Sequence, residues 1–138
     1  MAVKYIKGNL IELFKAGHFD VLVHGCNCYN IMGAGFAKQV KQHFPKAFQT
    51  DKDFIIPVGS YRLGNFSMLL QDCENNDDNY IVNAYTQLNT GKNFDKVAFR
   101  LVMTKINEIF FNSNIAVPGL IGCGLAGGNP QEVIQILE

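Results

Sequence analysis

Val21-Leu22-Val23-His24-Gly25-Cys26-Asn27-Cys28-Tyr29-Asn30-Ile31-Met32-Gly33-Ala34-Gly35-Phe36-Ala37 is the stretch whose reading decides the fold. Three consecutive apolar residues suit a strand covered on both faces, as in a mostly parallel sheet. The run stops at His24-Gly25, and an uncharged turn with Cys26, Asn27, Cys28 and Asn30 follows. Gly33-Ala34-Gly35 then opens a pattern of helical period in which Ala37, Val40 and Phe44 share a face. The order is strand, loop, helix, with glycines where the helix begins. The first N–H groups of a helix have no internal partners and carry the positive end of its dipole. They attract phosphate, and glycine lets a ligand approach the backbone closely. Two readings stand: a loop that holds a phosphate-bearing ligand, or a tight turn whose glycines serve packing.

A second stretch of the same kind lies near the C-terminus. Ile115-Ala116-Val117 leads into Pro118-Gly119-Leu120-Ile121-Gly122-Cys123-Gly124-Leu125-Ala126-Gly127-Gly128. Such loops at the carboxyl ends of neighbouring parallel strands face one crevice. Neither loop holds a Lys or Arg, so a diphosphate between them would be gripped by main-chain amides and helix ends.

Around these two stretches, the pattern predicts strands over Ala2–Lys7, Asp20–His24, Phe66–Leu70, Tyr80–Tyr85 and Ile115–Val117. Asn9 is placed to cap a short helix, Leu10 to Ala16. Pro45 ends the helix that follows the first glycine loop, and one or two further turns are expected over Pro45–Lys52. Phe54–Gly64 reads as loop. Asp72–Asn79 reads as the turn of a hairpin, and Thr86–Asn93 as a loop on the same sheet edge as the glycine loops. The strongest helical stripe is Ala98, Leu101, Val102, Ile106, Ile109 and Phe110, within Asp95–Phe111. A last helix starts at Pro130 behind Asn129. Helices on both faces of a mixed, mostly parallel sheet is the economical solution.

The 138 residues suffice for one domain with a real core. Twelve basic side chains balance twelve acidic ones, so the excess positive charge usual for coating nucleic acid or a membrane surface is missing. No apolar run approaches membrane length. The four cysteines, Cys26, Cys28, Cys73 and Cys123, form no CxxC pair. The first twenty residues lack the form of a signal peptide. Free thiols in the cytoplasm are the expectation.

These motifs resemble the macrodomain, a family of ADP-ribose-binding modules, over nearly the whole chain. The resemblance implies a three-layer α/β/α fold, one macrodomain over residues 1–138. It implies ADP-ribose or a derivative as small-molecule ligand, with no cofactor and no metal. Gly8-Asn9-Leu10 is similar to the segment that reads the adenine end, with Asn9 where the family often has aspartate. His24-Gly25-Cys26-Asn27 followed by Gly33-Ala34-Gly35-Phe36-Ala37, with Met32 between, looks like the first binding loop, where the asparagine touches the distal ribose. Ile121-Gly122-Cys123-Gly124-Leu125 looks like the phosphate-binding loop. HGCNCYNIMGAGFAKQ, NAYTQ at Asn83–Gln87 and IGCGLAGG are similar to a bacterial and phage branch related to ADP-ribose 1″-phosphate phosphatases. A related de-ADP-ribosylating branch uses a lysine and an aspartate. Here NAYTQ has no lysine, and Ala126 stands at the aspartate position. The family usually ends in a longer helix and one more strand, whereas this chain stops at Glu138; the expectation is either a truncated end or a partner chain at the C-terminal sheet edge.

Asn27 is a candidate for holding a ribose hydroxyl and aligning a water, or for shaping the loop by an Asx-turn. His24 is a candidate proton carrier or a packed core histidine; His18 and His43 read as surface residues. Tyr85 and Phe36 could flank a ribose or base, or serve the core. Thr86 and Gln87 could hydrogen-bond the ligand. Cys26, Cys28 and Cys123 read as small buried thiols; a zinc site with His24, or a thiolate nucleophile beside it, is the lesser alternative.

Overall fold

The computed structural model describes residues 8–75 and 77–119. The expected strand Ala2–Lys7, the second glycine loop with Ile121, Gly122, Cys123, Gly124 and Leu125, and the helix from Pro130 lie outside the described residues, as does the proposed C-terminal edge.

The chain runs α1 (Leu10–Lys15), β1 (Val21–Asn27), α2 (Gly35–His43), α3 (Pro45–Lys52), β2 (Phe66–Gln71), β3 (Asn79–Gln87), α4 (Lys96–Ile109) and β4 (Ile115–Ala116). A single turn of 3-10 helix at Ser60–Arg62 interrupts the long connection into β2. The sheet order is β2-β3-β1-β4. β1 pairs in parallel with β3 and β4, and β2 pairs antiparallel with β3. The mixed, mostly parallel sheet is thus as the patterning predicts, and Asp72–Asn79 does connect a hairpin.

The consecutive apolar residues of β1 divide between two cores. Val21 and Val23 join Val82 and Ala84 of β3 under Phe99, Val102 and Ile106 of α4. Leu22 and Ile81 face the other way, against Ile11 and Phe14 of α1, Val40 of α2, and Phe44 and Ala47. The period-two alternation of a strand puts neighbours on opposite faces, and each face has its helical cover.

β1 extends three residues past His24, because Gly25 and Cys26 continue the ladder opposite Ala84 and Tyr85. A bulge then pairs Asn27 with Gln87. Cys26 and Asn27 therefore end the strand instead of opening the loop. β3 likewise runs through Thr86 and Gln87.

The buried stripe of α4 is Ala98, Phe99, Val102 and Ile106. This corrects the predicted stripe at three residues. Phe99 packs in the core, while Leu101 and Ile109 are about half exposed, at 50% and 52%. Leu101 instead lies along the backbone at Gly64, whose φ is +82°; a Cβ there would come within 3.3 Å of Leu101 Cδ1. The cap read from the sequence at Asn9 forms, with Glu12 N–H donating to Asn9 Oδ1 at 3.2 Å, and the structure adds one at Asp95, whose Oδ1 accepts from Ala98 N–H at 2.9 Å.

Candidate functional site

β1 and β3 run in parallel, so their carboxyl ends open on the same edge of the sheet. The loop from Cys28 to Ala34 leaves β1 there and enters α2. Its shape comes from inside. Asn27 Oδ1 accepts from Tyr29 N–H at 2.9 Å and from Ile31 N–H at 3.4 Å, and Asn27 Nδ2 donates to Ile31 carbonyl O at 2.8 Å. The side chain of Asn27 is therefore the turn-former, with one amide proton beyond these bonds.

The loop also rests on the segment before the 3-10 turn. Gly59 N–H donates to Cys28 carbonyl O at 3.0 Å. Asn30 holds a left-handed φ of +62°. Across the loop mouth, Cys28 N–H donates to Leu88 carbonyl O at 3.0 Å, which joins the ends of β1 and β3.

At the far end of the loop, Gly33, Ala34 and Gly35 are all exposed. Ala34 is the N-cap of α2 and makes no side-chain cap bond. Gly35 begins the helix at φ +61°, a conformation that costs an L side chain about 1 kcal/mol or more. The start of α2 is thus open main chain at a helix N-terminus.

The other predicted ligand groups are mostly committed elsewhere. Gly8 is exposed, Asn9 is the α1 cap, and Leu10 packs its side chain on the α1–α2 core. Met32, Cys26 and Cys28 form a small buried cluster with Tyr85. Gln87 Nε2 donates to the carbonyls of Asn89 and Gly91, so it organises its own loop. Thr86 faces the interior at 0% exposure, and its hydroxyl has no hydrogen-bond partner among the described residues. Phe36 is half-buried, its ring 6.4 Å from that of His24.

Tyr85 is fully buried. Its ring stacks on Phe54 at 5.4 Å and its hydroxyl donates to Asp51 Oδ1 at 2.8 Å. That placement corrects the idea that it flanks a ligand. His18 and His43 are exposed, as expected.

His24 is the larger correction. It is 1% exposed, on the α2–α3 side of the sheet, and Nε2 lies 2.6 Å from Asn83 Oδ1. The tautomer follows from the partners. Asn83 Nδ2 faces the Ala47 carbonyl at 3.0 Å and Ser67 Oγ at 3.1 Å, so its oxygen must face the ring. His24 therefore carries its proton on Nε2. Burial holds its pKa down at about 4, against the pull of the Asn83 hydrogen bond. A neutral ring with no open face does not reach a ligand outside.

Burial also raises both thiols. Cys26 lies well above the ordinary thiol range, and Cys28 is pushed up to about 11, with Arg62 opposing and Asp51 adding to the shift. Neither is poised as a thiolate nucleophile. Among the described residues no group of three or more His, Cys, Asp or Glu is placed to hold a metal.

The structure joins His24, Asn83 and Tyr85 of the quoted motifs to buried polar residues outside them, Asp51, Arg62 and Ser67. Ser67 Oγ lies 2.9 Å from Tyr85 OH, and Asp51 accepts from both Tyr85 and Arg62. Arg62, 1% exposed, also donates to the Ile56 carbonyl and to Asn30 Oδ1. Donors run in one direction, His24 to Asn83 to Ser67 to Tyr85 to Asp51, with Arg62 meeting Asp51 from the other side. A polar Asn83 within the apolar run of β3 was the one local signal of this network.

No family model matches the chain. A relative from Enterobacteria phage T4, an uncharacterized 17.5 kDa protein of the tk-vs intergenic region, is 34% identical over 142 residues, spanning 100% of this chain and 89% of the relative. An ADP-ribose 1″-phosphate phosphatase of Saccharomyces cerevisiae strain YJM789 is 33% identical over 75 residues, which is 54% of this chain and 41% of that protein. Among solved structures, the macrodomain of Thermus aquaticus DarG aligns at a TM-score of 0.73 with 22% identity, covering 96% of this chain and 85% of that one. Thermosipho africanus DarTG in complex with ADP-ribose aligns at 0.65 with 20% identity, covering 81% of this chain and 32% of that one.

Proposed function

We propose that the chain, whose fold is that of the solved macrodomains it aligns with, is a macrodomain that binds ADP-ribose across the loop between β1 and α2 and hydrolyses ADP-ribose 1″-phosphate to ADP-ribose and phosphate. The observation that carries the reading is the exposed main chain of Gly33-Ala34-Gly35 at the open start of α2, beside the carboxyl ends of two parallel strands. Side chains around it are engaged in shaping loops, so recognition falls to amide donors. The ADP-ribose complex of DarTG and the name of the yeast relative agree with that ligand.

In this reading Gly8, Asn9 and Leu10 contact the adenine end; Asn9 Oδ1 keeps a second lone pair beyond its cap bond. Gly33 to Phe36 and residues Ile121 to Leu125 line the ribose and diphosphate. The free amide proton of Asn27 holds the distal ribose. Hydrolysis forms a bond from a water oxygen to phosphorus and breaks the bond to O1″, with the proton of the water ending on the released 1″ oxygen. Amide donors stabilise the charge on the phosphate oxygens. His24 contributes from below, by fixing Asn83 and the strand ends.

One observation favours a second reading, binding without turnover: the single imidazole near the loop is buried and neutral. A third reading, release of ADP-ribose from a modified macromolecule, rests on family likeness. The protein is read as one macrodomain over residues 1–138. A cytoplasmic setting fits the free thiols Cys26, Cys28 and Cys73, and among the described residues no helix is long and apolar enough to cross a membrane.

Calorimetry with ADP-ribose and phosphate release from its 1″-phosphate test the proposal together. Saturable binding with phosphate release is the expected result, and Asn27→Ala is expected to weaken binding by about tenfold or more, equivalent to about 1.4 kcal/mol. Binding with no phosphate release selects the reader. No binding at all defeats both.

A further inference from the structure

We propose that Arg62 is a positioning residue for the ligand loop after β1, acting through Asn30; the assignment rests on the ADP-ribose reading of that loop. Arg62 cannot touch a ligand itself, since it is buried to 1% exposure beneath the loop. Two of its three guanidinium nitrogens have named acceptors. Nε donates to the Ile56 carbonyl at 2.7 Å, while Nη1 serves Asn30 Oδ1 and both the carbonyl and carboxylate of Asp51 at 3.2 Å. The plane lies over Tyr85 and Phe54, 5.3 and 5.4 Å from their ring centroids. Asp51 is in turn held by Tyr85. This gives a rigid fork that a lysine could not reproduce.

The residue that the fork grips matters. Asn30 is the one non-glycine residue with positive φ among the described residues. A left-handed residue redirects the chain, and here it lies three residues before the exposed amides of Gly33-Ala34-Gly35. The loop is anchored at Cys28 by Gly59, from within by Asn27, and at Asn30 by Arg62. Gly59 holds the loop at its beginning, Asn27 spans Tyr29 to Ile31 from within the loop, and Arg62 holds Asn30 from outside it. A charged group buried in this way costs desolvation unless its partners are well placed. Here the carboxylate of Asp51 compensates that charge, and the same Nη1 that meets it also serves an uncharged loop residue, Asn30.

The test compares the intact protein with Asn30→Gly, Arg62→Lys and the double variant. Glycine accepts the positive φ, so Asn30→Gly removes the grip without backbone strain and leaves the Arg62–Asp51 pair intact. Two readouts are taken: ADP-ribose affinity by calorimetry, and hydrogen exchange of the Tyr29 and Ile31 amides in the ligand-free protein. Each single variant is expected to bind about tenfold more weakly, with faster exchange at both amides. The double variant is expected to bind no worse than the weaker single, because both remove one interaction. Unchanged affinity in Asn30→Gly, or losses that add in the double variant, overturns the assignment. If the unaltered protein fails to bind ADP-ribose, the functional reading falls. The exchange data then decide the positioning role alone: faster exchange in Asn30→Gly upholds it, and unchanged exchange overturns it.

Discussion

Replacing Arg62 by methionine is expected to lower stability by about 3–5 kcal/mol, the range for removing one partner of a buried ion pair. Asp51 and Arg62 are each 1% exposed. Without the guanidinium, the Asp51 carboxylate keeps the Tyr85 hydroxyl but loses its counter-charge. Burial already raises the pKa of Asp51, against the lowering effects of the Tyr85 hydrogen bond and of Arg62. Removing Arg62 leaves desolvation dominant, and the group takes a proton or drags in water. The Ile56 carbonyl and Asn30 Oδ1 lose their donor as well. Urea unfolding at neutral pH measures the loss. Asp51→Asn added to Arg62→Met is expected to regain part of it, since an amide needs no counter-charge and can still accept from Tyr85. A loss under about 1 kcal/mol in the single variant would mean that the pair is not buried as described.

Acidification is expected to remove about 3 kcal/mol of stability between pH 6.5 and 4. Buried His24 is held near pKa 4 in the fold, against 6.5 for an unperturbed histidine, and each pKa unit is worth about 1.4 kcal/mol. Between these two values the unfolded chain binds a proton that the folded chain refuses. Stability therefore rises with pH across the window, is fully present above 6.5, and is lost as pH falls toward 4. Asp51 acts with the opposite sign. Its raised pKa means that the fold holds a proton more readily than the unfolded chain does, so its term favours the fold at low pH and fades as pH rises above the usual aspartate range. Unfolding free energies from urea titrations at pH 7, 6, 5 and 4 test this for the intact protein and for His24→Gln. The glutamine variant starts lower but is expected to show a flatter curve across the window. Parallel curves would remove His24 as the cause.

These two results bear on how the chain can be read. Asn83 sits in β3 as a polar residue within an apolar run, and a run of that kind asks where its amide goes. Asp51 lies in a helix of otherwise polar character and Arg62 in a loop rich in proline and glycine, where charged residues are normally solvated. Nothing local distinguishes them from Lys52 or Asp53, which are exposed. Tyr85 and Thr86 belong to a motif that reads as ligand-facing, yet both side chains turn inward. Only their alternation along a strand with covered faces decides that. Leu101 and Phe99 make the same point on α4. Both fit an apolar stripe within one turn, and the position of Gly64 selects which is sheltered.

The strand-loop-helix at Val21–Ala37, the Asn9 helix cap, the hairpin and the glycine start of α2 were decided by the sequence by itself. Each depends on residues within a few positions of one another: periodicity, capping oxygens, and glycine where φ is positive. The union of His24, Asn30, Asp51, Arg62, Ser67, Asn83 and Tyr85 was decided by the tertiary structure alone. Those residues come from β1, the loop after it, α3, the 3-10 turn, β2 and β3. A buried hydrogen-bond network is satisfied by geometry in space, and separation along the chain carries no trace of which donor will meet which acceptor.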